Sequence, residues 1–251
     1  MKTVKAGNVV FGEGRVKICV PVTAADASEL LEAVKRLSAR EIDLIEFRAD
    51  YYRDNCVNAL RLLRAAAGGR PVLFTIRTKE EGGLADLTDE AYRRQILEAA
   101  PEADLVDVEY ARFEKMEDGG VFLSRLKESG VKVIGSAHDF QTTPPAEEIT
   151  AKLCAMQEAG FDISKIAVMP ASGSDVLRLM KASLRMKDGL ADRPYITVSM
   201  GKEGLISRCA CSFTGSCLTF GTAGRSSAPG QIPASDLEKI LDILHNYAEE
   251  A

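Results

Sequence analysis

At 251 residues, with 46% hydrophobic and 27% charged side chains, the chain can bury a large core and is not of disordered composition. Its net charge of −5 gives no basic footprint for nucleic acid or an anionic membrane, so an anionic ligand needs a local cluster of arginines. No apolar stretch approaches bilayer-spanning length and the N-terminus lacks an apolar signal region, which points to a cytoplasmic protein with no membrane partner.

Val4–Phe11 sets Gly7-Asn8 between apolar pairs, with Gly12 and Gly14 following, and predicts a short N-terminal hairpin covering one mouth of the fold. Apolar runs then recur at Val16–Val22, Leu44–Asp50, Pro71–Arg77, Leu105–Tyr110, Val131–His138, Lys165–Pro170, Pro194–Met200 and Cys217–Ala223. Most intervals carry helical periodicity, as in Leu30, Leu31, Val34 and Leu37, in Leu60, Leu62 and Leu63, or in Val176, Leu177, Leu179 and Met180. Gly201–Ser216 is short and rich in glycine and cysteine, leaving room for a helical turn or two. The last helix opens on a capping box, Ser235-x-x-Glu238, and aligns Leu237, Ile240, Leu241 and Leu244, with His245 turned to water. Strand-like runs separated by helices imply parallel pairing through right-handed crossovers. A closed (β/α)8 TIM barrel of class α/β, one domain over residues 1–251, is the expected solution. An open doubly wound sheet is the alternative, but the first βα turn has no GxGxxG.

The six cysteines, Cys19, Cys56, Cys154, Cys209, Cys211 and Cys217, are scattered, and we expect reduced core thiols rather than a disulfide framework. Cys209-x-Cys211 is a weak metal signal without an accompanying histidine or second cysteine pair.

Chemistry is signalled by polar residues on the inward face of strands. In Leu44–Asp50 alternation puts Ile45, Phe47 and Ala49 toward the helices and Leu44, Glu46, Arg48 and Asp50 toward the interior. Arg77 repeats the pattern on the third run, and Asp107 and Glu109 on the fourth. Interior charges cost several kcal/mol each unless paired, so a packing network is the alternative to a site, most of all for Asp107 and Glu109. Arg48, Arg77 and His138 lie toward strand C-termini, where barrel active sites form. His138 is one of two histidines and ends an apolar run, which makes it the candidate proton carrier. The segment Thr78–Gly83 reads as a mobile loop carrying a carboxylate. Lys165 reads either as an amine nucleophile or as a rim lysine snorkelling from the start of its strand. The loop Gly221–Gln231 suits an anion such as phosphate or carboxylate, or is an ordinary connection.

Together these segments resemble type I 3-dehydroquinate dehydratases, the Schiff-base-forming enzymes of the shikimate pathway. The resemblance runs through Glu46-Phe-Arg48-Ala-Asp50, Thr75-Ile-Arg77 with Glu81-Gly-Gly, Ser136-Ala-His138-Asp-Phe and Lys165-Ile-Ala-Val-Met-Pro170. It continues through Ser199-Met-Gly201 with Ser207-Arg208, Leu218-Thr-Phe220-Gly221 and Ser227-Ala-Pro-Gly-Gln231. It departs at Cys209-Ala-Cys211-Ser and Arg15-Val16, neither of which holds an assigned role.

The resemblance implies that Lys165 forms an imine with 3-dehydroquinate, that His138 shuttles protons and that Glu81 orients it. Glu46, Arg48, Arg77, Met200, Arg208, Phe220, Ser227 and Gln231 would line the substrate site, with Arg208 on the substrate carboxylate. Dehydration to 3-dehydroshikimate, on the way to chorismate and the aromatic amino acids, would then need no metal or organic cofactor. The amine must react uncharged, a form favoured by burial beside cations such as Arg48. The resemblance also implies a homodimer. Two other readings stay open from the residues: a class I aldolase with the same fold and lysine chemistry, and a non-catalytic barrel that binds a small acid.

Overall fold

The computed structural model describes residues 1–38, 42–224 and 227–249. A hairpin of β1 (Val4–Ala6) and β2 (Val9–Phe11) comes first, followed by β3 (Lys17–Val22), α1 (Ala27–Ser38), β4 (Leu44–Arg48), α2 (Cys56–Ala66), β5 (Val72–Thr75) and α3 (Asp89–Ala99). Next come β6 (Leu105–Glu109), α4 (Tyr110–Phe113), α5 (Gly119–Glu128), β7 (Lys132–Asp139), α6 (Ala146–Glu158), β8 (Ile163–Val168) and α7 (Gly173–Arg185). The chain closes with β9 (Tyr195–Ser199), α8 (Leu205–Cys209), α9 (Cys211–Thr214), β10 (Leu218–Thr222), β11 (Ile232–Pro233) and α10 (Ala234–Glu249).

Strands β3 to β9 pair in parallel in chain order, and β10 lies parallel against β3. No ladder joins β9 to β10 among the described residues. There the Cys217 N–H donates to the Tyr195 carbonyl at 2.9 Å, and the Thr197 N–H to the Ser216 hydroxyl at 3.2 Å. These bonds bring the last two edges together and give the (β/α)8 barrel that the βα rhythm predicts. The short β11 adds to the C-terminal end of β10, with Gly221 opposite Ile232.

The helices start where local chemistry says they should. Asn55 accepts from the Asn58 N–H and caps α2, Thr88 caps α3, and Ser172 with Asp175 forms a capping box on α7. Leu30, Val34 and Leu37 of α1, with Leu60 and Leu63 of α2, pack against Ile45, Phe47 and Phe74 on the outer faces of the strands. Leu177 departs from its expected stripe and is 67% exposed, while Val176 and Leu179 are buried.

On α10, Leu237 and Leu241 are buried but Leu244 is 41% exposed, because the neighbouring α8 and α9 are about one turn each and leave its far end uncovered. His245 is half-buried rather than turned to water, and the helix begins at Ala234, so Ser235 sits in its first turn instead of before it. None of the cysteines is bridged; Cys19, Cys211 and Cys217 are core thiols, whereas Cys56, Cys154 and Cys209 are only half-buried. Among the described residues no helix is long and apolar enough to cross a membrane.

The hairpin decides which mouth is open. Gly7, at φ +56°, takes the left-handed conformation that its two-residue turn needs. Ala6, Val9 and the fully buried Phe11 then pack onto Cys19, Leu44, Leu73, Leu105, Ile134, Ile163, Ile196 and Leu218, the lowest inward residues of the eight barrel strands. A dry plug closes the N-terminal end. Anything bound in the barrel enters from the C-terminal end.

Candidate active site

Strand alternation lifts the interior from apolar to polar in steps of two residues. Above Leu44, Leu73, Leu105, Ile134 and Ile163 stand Glu46, Thr75, Asp107, Ser136 and Lys165; above those stand Arg48, Arg77, Glu109, His138 and Ala167. All but His138 are buried, and its side chain is only 9% exposed. A parallel strand covered on both sides normally reads as unbroken hydrophobics, so this polar tier is the anomaly that marks the site.

Arg77 holds the tier together. Its Nη1 donates to Glu109 at 3.0 Å, Ser136 at 3.1 Å and Glu81 at 3.3 Å, and Nη2 donates to Asp107 at 2.7 Å. Burial works against this cation, yet the surrounding carboxylates outweigh it and raise its pKa. Glu109 also accepts from the Thr78 amide and hydroxyl, at 2.8 and 2.7 Å. The packing network considered for Asp107 and Glu109 is therefore present, and Arg77, expected in the substrate site, is also its hub. Arg48 is fixed by Asp50, with Nε and Nη2 each 2.8 Å from a carboxylate oxygen. Glu46 accepts from the Thr75 hydroxyl at 2.8 Å.

Lys165 is not a rim lysine. Strand β8 begins at Ile163, two residues before the apolar run seemed to start, so Lys165 is an interior position with Ile163 below it and Ala167 above. Its Nζ lies 3.4 Å from Asp107 Oδ2 and 4.6 Å from the centroid of the Phe220 ring. Asp107 thus gives the amine a counter-ion where cationic neighbours alone were expected.

Glu81 and His138 form the pair that the motifs implied, with His138 Nδ1 2.7 Å from Glu81 Oε2. The carboxylate reaches inward because Lys79–Glu81 makes a 3-10 turn held by backbone bonds: Gly83 donates to the Thr78 carbonyl at 2.7 Å and Lys79 to the Ala85 carbonyl at 2.9 Å. Gly83 has no alternative, since a Cβ there would lie 2.1 Å from the Arg77 carbonyl oxygen. Burial lifts the Glu81 carboxyl to about 8 against the pull of Arg77. Burial, then Arg77, Lys165 and Arg48, hold His138 well below the usual histidine range. When Nδ1 donates to Oε2, which also accepts from Arg77, the lone pair of the neutral ring is on Nε2.

Arg208, on α8, is the opposite of Arg77. It is 2% exposed, its Nη2 donates to the Pro229 carbonyl at 3.0 Å, and its Nε has no hydrogen-bond partner among the described residues. Burial without a carboxylate partner lowers it to about 10. A buried guanidinium in that state can take an anion as its partner. The loop above it folds on itself, with the Ser227 N–H donating to Gln231 Oε1 at 2.9 Å and Gln231 Nε2 to the Ser227 hydroxyl at 3.1 Å.

One cavity gathers these groups. Glu46, Arg48, Arg77, Glu81, His138, Lys165, Met200, Arg208, Phe220, Ser227 and Gln231 all line it, joined by Gly82, Phe140, Ala167, Val198 and Ala228. Lys165 and His138 open onto the same space. Every residue that the resemblance placed in the site lines this cavity. The reading of the motifs missed the anchoring roles of Asp50, Asp107 and Ser136; inward alternation on β4, β6 and β7 was the signal available for them.

The family model described as type I 3-dehydroquinase matches residues 18–248. The chain belongs to the type I 3-dehydroquinase family. Among its relatives, the 3-dehydroquinate dehydratase of Syntrophotalea carbinolica is 44% identical over 98% of this chain and 99% of that one. The 3-dehydroquinate dehydratase of Bacillus velezensis is 43% identical over 98% and 100%. Among solved structures, the type I 3-dehydroquinate dehydratase of Clostridium difficile, described with covalently modified comenic acid, superposes with a TM-score of 0.93 at 38% identity, covering 98% of this chain and 99% of that one. The whole barrel, hairpin included, is therefore that of this enzyme family.

Proposed function

We propose that the chain is a shikimate-pathway lyase that dehydrates 3-dehydroquinate to 3-dehydroshikimate through an imine on Lys165. The observation that carries the reading is the opening of Lys165, His138 and Arg208, whose Nε has no partner among the described residues, onto one cavity. Arg208 receives the substrate carboxylate, which supplies the anion its guanidinium lacks. That contact and the bonds from the Ser227–Gln231 loop turn the ring so that its C3 ketone faces the lysine. The Lys165 ammonium gives up a proton, the free amine attacks the ketone, the carbinolamine oxygen leaves as water with that proton, and the iminium draws electron density from C2. The bare Nε2 of His138 takes the C2 proton, and the C–H electron pair moves into the enamine. The enamine then expels the C1 hydroxyl, which leaves as water with the proton that His138 returns. Water hydrolyses the product imine and frees the lysine. The Clostridium difficile relative, described with covalently modified comenic acid, supports a reading in which covalent chemistry takes place in the site.

Borohydride reduction in the presence of 3-dehydroquinate, followed by peptide mass mapping, tests the imine directly. A reduced adduct on the peptide holding Lys165 is expected. Full activity after the treatment, with that peptide unmodified, rules the imine out.

The anion site has its own expected result. Arg208→Ala raises KM about 100-fold and kcat changes much less, as suits the loss of a desolvated charge-assisted contact made in both ground and transition states. Steady-state kinetics read the split. An unchanged KM would assign the carboxylate to another group.

A further inference from the structure

The lysine nitrogen has a charged partner that no part of the reaction scheme above uses. Asp107 is completely buried on β6, across the barrel interior from β8. Its Oδ1 accepts from Arg77 Nη2 at 2.7 Å and from the Ser136 hydroxyl at 2.6 Å, which fixes the carboxylate in place. Its Oδ2 is left for Lys165 Nζ at 3.4 Å, and among the described residues Asp107 is the one hydrogen-bond partner of that nitrogen. The Phe220 ring lies on the amine as well, 4.6 Å from its centroid.

We propose that Asp107 is the positioning residue of the Schiff base: anchored through Oδ1 by Arg77 and Ser136, it holds the lysine nitrogen through Oδ2 and keeps the imine protonated. The proposal rests on the imine reading above and deepens it. Charge conservation is the physical reason. Lys165 as ammonium plus a ketone gives an iminium plus water, so one positive charge sits on the nitrogen before and after condensation. One N–H remains on the nitrogen to donate to Oδ2. A neutral imine is a poor electron sink. Among these buried groups, a fixed carboxylate is what keeps the proton on nitrogen while C2 is deprotonated.

Of the remaining charged and titratable groups that line the cavity, Arg208 on α8 has no carboxylate partner among the described residues, and the others are committed elsewhere. Glu46 on β4 accepts from Thr75, and Arg48 on the same strand is bound to Asp50. Arg77 after β5 is shared among its carboxylates, and Glu81 is bound to His138 of β7. Cys19 on β3 is buried, and burial pushes its thiol well above the ordinary range. Val198 on β9, Met200 just beyond its end and Phe220 on β10 carry no charge. Burial would raise the Asp107 carboxyl, but Arg77, Lys165 and the Ser136 bond outweigh it, so its pKa is lowered and the anion persists.

The test is cyanoborohydride trapping with 3-dehydroquinate as a function of pH, because that reagent delivers hydride to the iminium and not to the neutral imine. Asp107→Asn keeps the shape and removes the charge. Its trapping is expected to fall off about one pH unit or more lower than in the unaltered protein, the scale of losing one opposite charge at this distance. Ser136→Ala takes one hydrogen bond from the same carboxylate without removing its charge, and it slows trapping while leaving that pH limb in place. An Asp107→Asn variant that traps with the unaltered pH profile overturns the proposal. If that variant does not fold, the reduced adduct of the unaltered protein decides by crystallography. The lysine nitrogen within hydrogen-bond reach of Asp107 Oδ2 supports the proposal, and a nitrogen swung out of reach overturns it. Failure of the imine reading looks different, since the unaltered protein would then carry no label on Lys165 at any pH.

Discussion

Lys165→Met is expected to lower kcat by about 10⁵-fold or more, the scale on which removal of an enzymic nucleophile falls. Borohydride with 3-dehydroquinate then leaves no adduct anywhere in the chain. Methionine keeps the length of the stem and its apolar packing beneath Ala167, so the barrel wall is not opened. The charge it removes is the partner of Asp107, and an orphaned buried carboxylate costs about 3–5 kcal/mol when nothing else holds it. Here Arg77 at 2.7 Å and Ser136 at 2.6 Å still do, so the variant remains folded with a modest fall in thermal midpoint. Arg208 is untouched, and binding of the substrate, read by calorimetry, persists within about tenfold because the imine contributes nothing to a non-covalent complex. A variant that keeps a tenth of its turnover would place the nucleophile elsewhere.

How far the sequence could be read depended on whether a residue sits on a periodic element. Glu46 and Arg48 were legible because strict alternation in Leu44–Arg48 leaves them on one face with Leu44, and all are buried as that pattern requires. Lys165 was ambiguous for a local reason. Asp162-Ile-Ser looks like a connection, but Ile163 and Ser164 are already in the strand, with the Ser164 hydroxyl bonded to the Leu153 carbonyl of α6, and that shift of two residues turns a rim lysine into an interior one.

Arg208, Ser227 and Gln231 lie on a one-turn helix and a loop, where no periodicity exists to assign a face. The residues alone marked the Gly221–Gln231 loop as suited to an anion, and only the resemblance to the family pointed to Arg208 and to Ser227 and Gln231 individually. The contact of Asp107 with Lys165 was out of reach altogether. The two residues are 58 positions apart on strands separated by β7, and which inward residues meet across a barrel is set by strand stagger rather than by any local pattern. The hairpin illustrates the converse. Gly7-Asn8 announced the turn, and which mouth it plugs became clear only from the packing of Phe11 on the lowest inward layer.

His138→Ala separates the two halves of the chemistry. Turnover is expected to fall about 10³-fold, within the range for loss of a positioned general acid–base. The lysine and its carboxylate partner remain, so condensation still proceeds, and the imine with unreacted substrate accumulates. Intact-mass measurement after a brief borohydride quench should show more labelled protein than in the unaltered chain, where product release keeps the adduct scarce.

The pH dependence carries the same signature. The base is the Nε2 lone pair, and it exists only while the imidazole is neutral. Burial and the cations Arg77, Lys165 and Arg48 hold the His138 pKa well below 6.5. The acidic limb of kcat/KM therefore lies below pH 6.5, with activity complete above it and lost as pH falls through the depressed value. The alanine variant keeps its residual rate without that limb. As pH rises through about 8, Glu81 ionises, and its charge then faces Nδ1 as the imidazolium forms, so the shuttle is supported rather than switched off on that side. A His138→Ala variant with a wild-type rate, or one with no covalent adduct at all, would mean that the ring does not carry the proton between C2 and the departing hydroxyl.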